Sequence, residues 1–214
     1  MAYTGQDIYT LVEQLVHDLP PQTWFIAALN AAKDRIESER DWEFLKKYDS
    51  SKTRSAGDTI SSTKALPTDF ARPLKVTVGT ATSSFNLIPF EEREVYKDEE
   101  GAYVIDYGNS TFAFTGTCQT AGTIKMFYLR FTPDVSLSTS PVWPDRFHRV
   151  LALDVAKQWF YQDQGEREFS WSSEMDAEAK LLKDAMVAWD ERIKALSLNS
   201  PSRSPDPYFI PDIS

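Results

Sequence analysis

Residues 103–115, YVIDYGNSTFAFT, hold two β-rich runs, Tyr103–Tyr107 and Ser110–Thr115, with Gly108-Asn109 between them. Glycine and asparagine tolerate the positive φ values of a tight turn, so the stretch predicts a β-hairpin. On either side of it, from Lys64 to Phe131, the apolar period stays short. Val76 and Val78, Leu87 and Ile88, and Ile124 to Phe131 sit in brief runs broken by Gly79, Gly101, Gly116 and Gly122. That pattern predicts five or six antiparallel strands in a small sheet or sandwich.

Beyond these strands the period lengthens in both directions. Upstream, Ile8, Leu11, Val12, Leu15 and Leu19 recur at three- and four-residue steps, predicting a helix over 6–19 that Pro20-Pro21 stops. Phe25, Ala28, Leu29, Ala32 and Ile36 form the stripe of a second helix, with Thr23 as its cap and a continuation to about Lys47. Residues 49–63, rich in Ser, Thr, Gly and Asp, read as a loop. Downstream, a helix starts after Pro144 with Phe147, Val150, Leu151, Val155 and Trp159 on its stripe, which Asp154 interrupts. A last helix starts near Ser173 with Met175, Ala179, Leu182, Met186, Trp189, Ile193 and Leu196. Residues 197–214 hold Pro201, Pro205, Pro207 and Pro211 and no helical period, so they read as an extended arm. The expected class is α+β. A four-helix bundle-like core (two helices in 1–48, two in 141–196) carries an antiparallel β insertion at 49–140 and an arm at 197–214. Trp24, Phe25, Leu29, Phe147, Leu151, Leu182, Met186 and Trp189 are expected to share one core.

A chain of 214 residues can bury roughly 70% of its unfolded surface, and a hydrophobic fraction of 42% is enough to do so. The net charge is −9 and the longest basic run is Lys46-Lys47, so no specific reader of nucleic acid is expected. An acidic surface would instead let DNA pass. A single cysteine, Cys118, excludes an internal disulfide and reads as a small strand residue. No signal peptide and no membrane helix are expected.

Catalytic signals are weak. His17 and His148 read as surface or interface histidines, and neither a nucleophile elbow, a P-loop nor a dinucleotide fingerprint occurs. Glu91, Glu92 and Glu94, then Asp98, Glu99 and Glu100, are bunched in a polar stretch and read as a solvated face. They are also the only material for a carboxylate-dependent hydrolase or a divalent-cation site. Phe127, Tyr128, Arg130 and Phe131 interleave aromatic with basic residues, which strand alternation explains better than single-strand nucleic-acid binding. No cofactor and no metal ligand set is expected. Tyr208-Phe209-Ile210 is an apolar triplet in an otherwise polar tail, and such triplets mark contacts.

Five blocks, taken in order, resemble the head-to-tail connector (adaptor) proteins of tailed bacteriophages. They are Asp41-Trp42-Glu43-Phe44-Leu45; Leu66-Pro67-Thr68-Asp69-Phe70-Ala71-Arg72; the hairpin Tyr103–Phe114; Thr132-Pro133 through Pro141 and Trp143-Pro144 to Phe147–Leu153; and the acidic, alanine-rich last helix with its tail. The resemblance covers roughly residues 10–196 and implies a structural virion protein with no catalytic residues. It implies a ring of twelve copies in the neck, docked on the portal and meeting a tail or nozzle protein, with double-stranded DNA passing through unread. The proline-rich end departs from the pattern. Tyr208, Phe209 and Ile210 are the expected contact with the portal or a neighbouring copy. A tail-completion or tail-terminator role is the alternative.

Overall fold

The computed structural model describes residues 3–16, 18–80, 84–119, 121–163 and 173–198. Its contacts divide the chain into two units, one of Met1–Leu45 with Thr132–Ser214 and one of Lys46–Phe131. Both helices and mixed sheets are present, an α+β composition.

The first unit holds α1 (Gly5–Glu13), α2 (Gln22–Ser38), α3 (His148–Asp163) and α4 (Ser173–Leu198), and α3 touches each of the other three. Thr4 caps α1 in a reciprocal box with Asp7, which satisfies two orphan donors. Gly5 is required where it stands, because a Cβ there would lie 2.2 Å from the Ser136 carbonyl oxygen. Its N–H donates to Thr139 O at 2.8 Å, which seats the start of α1 on the 136–139 loop. Ile8, Val12, Phe25, Leu29, Ile36, Phe147, Leu151, Val155 and Met186 are buried. Tyr9 and Phe25 meet edge-on at 4.8 Å, and Tyr9 donates its hydroxyl to Pro20 O.

Several expectations need correction here. The first helix ends at Glu13, short of the expected 19. The second is capped by Pro21 without a side-chain bond, so Thr23 does not cap it. It stops at Ser38, because the apolar stripe ends at Ile36 and nothing beyond it calls for a helical face. A 3₁₀ turn, Glu43–Leu45, follows, and β1 (Lys46–Arg54) occupies residues read as helix end and loop. On α4 only Met186 and Asp190 are fully buried among the described residues, while Leu182 and Trp189, like Trp24 of α2, are half-buried. Met186→Ala is therefore expected to cost about 2–5 kcal/mol, and Leu182→Ala only about 1 kcal/mol. Chemical denaturation of the two variants tests that order.

The second unit is built from β1, β2 (Lys64–Ala65), β3 (Phe70–Val78), β4 (Asn86–Leu87), β5 (Ala102–Asp106), β6 (Thr111–Phe114) and β7 (Gly122–Arg130). Among the described residues there are two sheets, ordered β1-β7-β3 and β2-β6-β5-β4, with seven strands rather than five or six. Not all are antiparallel, since β4 runs parallel to β5. The β5–β6 hairpin pairs Tyr103 with Phe114 and Asp106 with Thr111. Asp106 closes its turn by accepting from the Asn109 N–H at 3.0 Å and from Asn109 Nδ2 at 2.7 Å, with Ser110 at φ 52°. Phe70, Val76, Ile124, Met126 and Tyr128 from the first sheet bury against Tyr103, Ile105, Phe112 and Phe114 from the second. Cys118 is buried in the loop after β6, not on a strand. Its N–H donates to Asp58 O, and its carbonyl accepts from Gly57.

Candidate functional site

The helical unit is interrupted once, so the chain crosses its border at two points, leaving after Leu45 and returning at Thr132. Each point is fixed by polar side chains that helical spacing places on one ridge.

Asn30, Lys33 and Glu37 follow one another at i, i+3 and i+7 on α2, so they share a face. Asn30 Nδ2 donates to Val135 O at 3.0 Å, and its Oδ1 accepts from Val135 N–H at 2.8 Å. Lys33, only 1% exposed, has its ammonium against Thr132 O, Thr132 Oγ1 and Pro133 O at 3.3, 3.0 and 3.1 Å and pairs with the Asp34 carboxylate at 3.2 Å. Glu37 accepts from Thr132 Oγ1 at 2.7 Å and from Trp143 Nε1 at 2.7 Å. A buried ammonium is tolerable only when such acceptors replace its water. Burial pushes the Glu37 carboxyl above its ordinary value, while the bonds from Thr132 and Trp143 and the nearby Lys33 charge work against it.

At the exit, Asp190 of α4 is fully buried. It accepts from the Glu43 N–H at 2.6 Å, Arg40 Nη2 at 3.1 Å and Lys194 Nζ at 2.7 Å. Arg40 also lies over the Trp42 ring at 5.1 Å, and Trp42 donates Nε1–H to Ile36 O at 2.8 Å. Trp42 stacks on Phe44, which meets Trp143 at 5.9 Å. The Asp41–Leu45 and Trp143–Leu153 blocks therefore converge on one another through aromatic contact.

His148 corrects its expectation as a surface or interface residue. It is fully buried, with Nε2 3.0 Å from Trp143 O and Nδ1 without a partner. Burial holds the imidazole below its ordinary value, against the Trp143 carbonyl and Asp145, which work to raise it. The groups facing it are Tyr3, edge-on at 5.9 Å, and Asp145. Protonation would leave an N–H on Nδ1 with no acceptor. The unfolded chain thus takes up the proton first as pH falls through about 6.5, and stability drops until the lower folded value is passed. His148→Phe should lose less stability than the wild type between about pH 7.5 and about pH 5 in denaturant titrations. Equal losses would assign the acid sensitivity elsewhere.

In the β unit, the Leu66–Arg72 block acts through Asp69, which accepts from Lys47 Nζ at 2.7 Å and from Tyr128 Oη at 2.8 Å. Burial works to raise the Asp69 carboxyl, but these bonds outweigh it and hold it low. Glu91, Glu92, Glu94, Asp98, Glu99 and Glu100 are all exposed. No group of three or more His, Cys, Asp or Glu that could hold a metal occurs among the described residues. No described helix is long and apolar enough to cross a membrane. Tyr208, Phe209, Ile210 and His17 lie outside the described residues.

Nothing in the sequence marks Asn30, Lys33, Glu37 or Asp190 as buried. The only available signal was polar residues at helical spacing beside an apolar stripe. A family model described as SU10 adaptor protein matches residues 3–201. No curated protein matches the chain.

Proposed function

Because the chain belongs to the SU10 adaptor protein family, a phage head-tail adaptor family, we propose that it forms the connector ring that docks on the portal and joins it to the tail. The observation that carries this reading is the span of the match, 3–201 of 214 residues. In this reading the helices form a bundle-like ring body of twelve copies, the β unit is its extension, and DNA passes through without being read. The buried clamps at Thr132–Val135 and at Arg40–Glu43 support it, because a subunit that sets ring geometry needs its chain crossings held rigidly. Electron microscopy of the protein mixed with its portal should show a ring seated on the portal. A protein that ignores the portal and binds a tail tube instead would make it a tail-completion protein.

Ser197 and Leu198 continue α4, so in this reading residues 199–214 serve as the docking arm, with Tyr208, Phe209 and Ile210 as the contact. About 16 residues near polyproline geometry would reach on the order of 50 Å, enough to cross to a neighbour. Deleting residues 200–214 should leave the melting temperature unchanged and weaken portal binding or ring assembly. Assembly at full affinity would remove the arm from the proposal.

A further inference from the structure

The chain's charge is not evenly spread. Residues 46–131 hold 11 of the 23 Lys and Arg and 10 of the 32 Asp and Glu, so the excess of acid lies in the helical unit, with 12 basic against 22 acidic residues. Within the β unit the segregation is sharper. The three-stranded sheet carries Lys46, Lys47, Lys52 and Arg54 on β1, Arg72 and Lys75 on β3, and Lys125 and Arg130 on β7, against Asp49 alone.

The register shows how these charges are displayed. Ile124, Met126 and Tyr128 of β7 face the core, so Lys125, Phe127 and Leu129 face the other way. Across the strands, Lys46, Leu129 and Arg72 form one row, Tyr48, Phe127 and Lys75 the next, and Lys125 pairs with Thr77. Leu129, Thr77 and Arg54 are themselves buried, so the open part of the face is Tyr48, Arg72 and Lys75. Tyr48 and Phe127 confirm the shared face, their rings 4.9 Å apart. Tyr48 is 37% exposed and Lys75 is exposed. Lysines on edge strands guard against strand addition, and Lys47 and Lys52 fit that role, each paired with a carboxylate. Lys125 does not, because β7 is the central strand. Lys75 and Lys125 take no acidic partner among the described residues.

We propose that this basic, aromatic face of the β1-β7-β3 sheet docks on the acidic helical unit of a second copy of the chain. The inference rests on the ring reading above and deepens it by naming the subunit contact. Opposite charge on two parts of one chain makes a head-to-tail contact self-complementary, and head-to-tail contacts are the kind that close into rings. Like-charged faces cannot meet, so the same segregation excludes sheet-to-sheet pairing of copies.

The test uses the full chain. Sedimentation at ~0.01 M salt, where charges act over about 30 Å, should show self-association that is lost at ~1 M, where they act over about 3 Å. Lys75→Glu should weaken that association at least about tenfold, and Lys125→Gln should weaken it too, with the fold of each checked by circular dichroism. Zero-length amine–carboxylate crosslinking of mixed heavy- and light-isotope copies should join Lys75 or Lys125 to an Asp or Glu of the other copy's helical unit. A wild type that stays monomeric at low salt would overturn the proposal, as would a Lys75→Glu variant that associates normally or crosslinks confined to single copies. Binding of a random-sequence DNA duplex that depends on Lys75 would reassign the face to DNA. If Lys75→Glu still forms rings on the portal, this contact falls and the connector reading stands. If the wild type forms no ring on the portal, the connector reading itself falls.

Discussion

Trp42→Ala is expected to destabilise the protein by about 4 kcal/mol, within the range for emptying a fully buried aromatic site. The side chain is 0% exposed. Its Nε1–H donates to Ile36 O at 2.8 Å, a carbonyl in the last turn of α2 whose other donor, the Glu39 N–H, stands farther off at 3.3 Å. It stacks on Phe44 at 5.7 Å and carries the Arg40 guanidinium on its face. The loss therefore combines apolar transfer, a cavity and the shorter of the two hydrogen bonds on the Ile36 carbonyl. Trp42→Phe separates these contributions, since it keeps a ring but removes the donor, and should cost about 1–2 kcal/mol. Denaturant midpoints for both variants check the order. A loss below about 1 kcal/mol for Trp42→Ala would show that residues 39–45 do not belong to the helical core.

Asp190→Ala should cost about 3 kcal/mol, at the lower end for breaking a buried ion pair. The carboxylate is fully buried, whereas Arg40 and Lys194 are 26% and 32% exposed and can turn partly to water once it is gone. The Glu43 N–H has no such escape along a flexible side chain. Asp190→Asn keeps an acceptor for that N–H and should lose less. Because Arg40 touches both Asp190 and Trp42, the double variant Trp42→Ala/Asp190→Ala should be less destabilised than the sum of the singles. Strict additivity would mean that the two anchors work independently.

The elements legible in the sequence are those whose signal is local. The Tyr103–Thr115 hairpin carries its own turn chemistry, and the helix after Pro144 and the start of α4 at Ser173 carry their own stops and starts. β1 was not legible. KKYDSSKTR shows no apolar alternation, and its strand state comes from pairing with β7 some seventy residues later. The clamps were hidden for the same reason. Lys33 and Thr132 lie 99 positions apart, and Glu43 and Asp190 lie 147 apart. A lysine or aspartate on a helix reads as solvated until the segment that buries it is known. His148 misled in the opposite sense, because a polar residue at a helix start suggests an exposed end, yet the Trp143 carbonyl turns it inward.

The split of the helical unit around Lys46–Phe131 has a consequence for how the chain is made. α1 and α2 leave the ribosome early, but α3, which touches both, begins only at His148. At ~5–20 residues per second, about 5–20 s separate the end of α2 from the start of its partner. Through that interval the Phe25, Leu29 and Ile36 stripe has no α3 to cover it, while the β unit, with a core of its own, can already close. The nascent chain should therefore bind holding chaperones most strongly after the second helix has emerged, and release them once Leu151 and Val155 arrive.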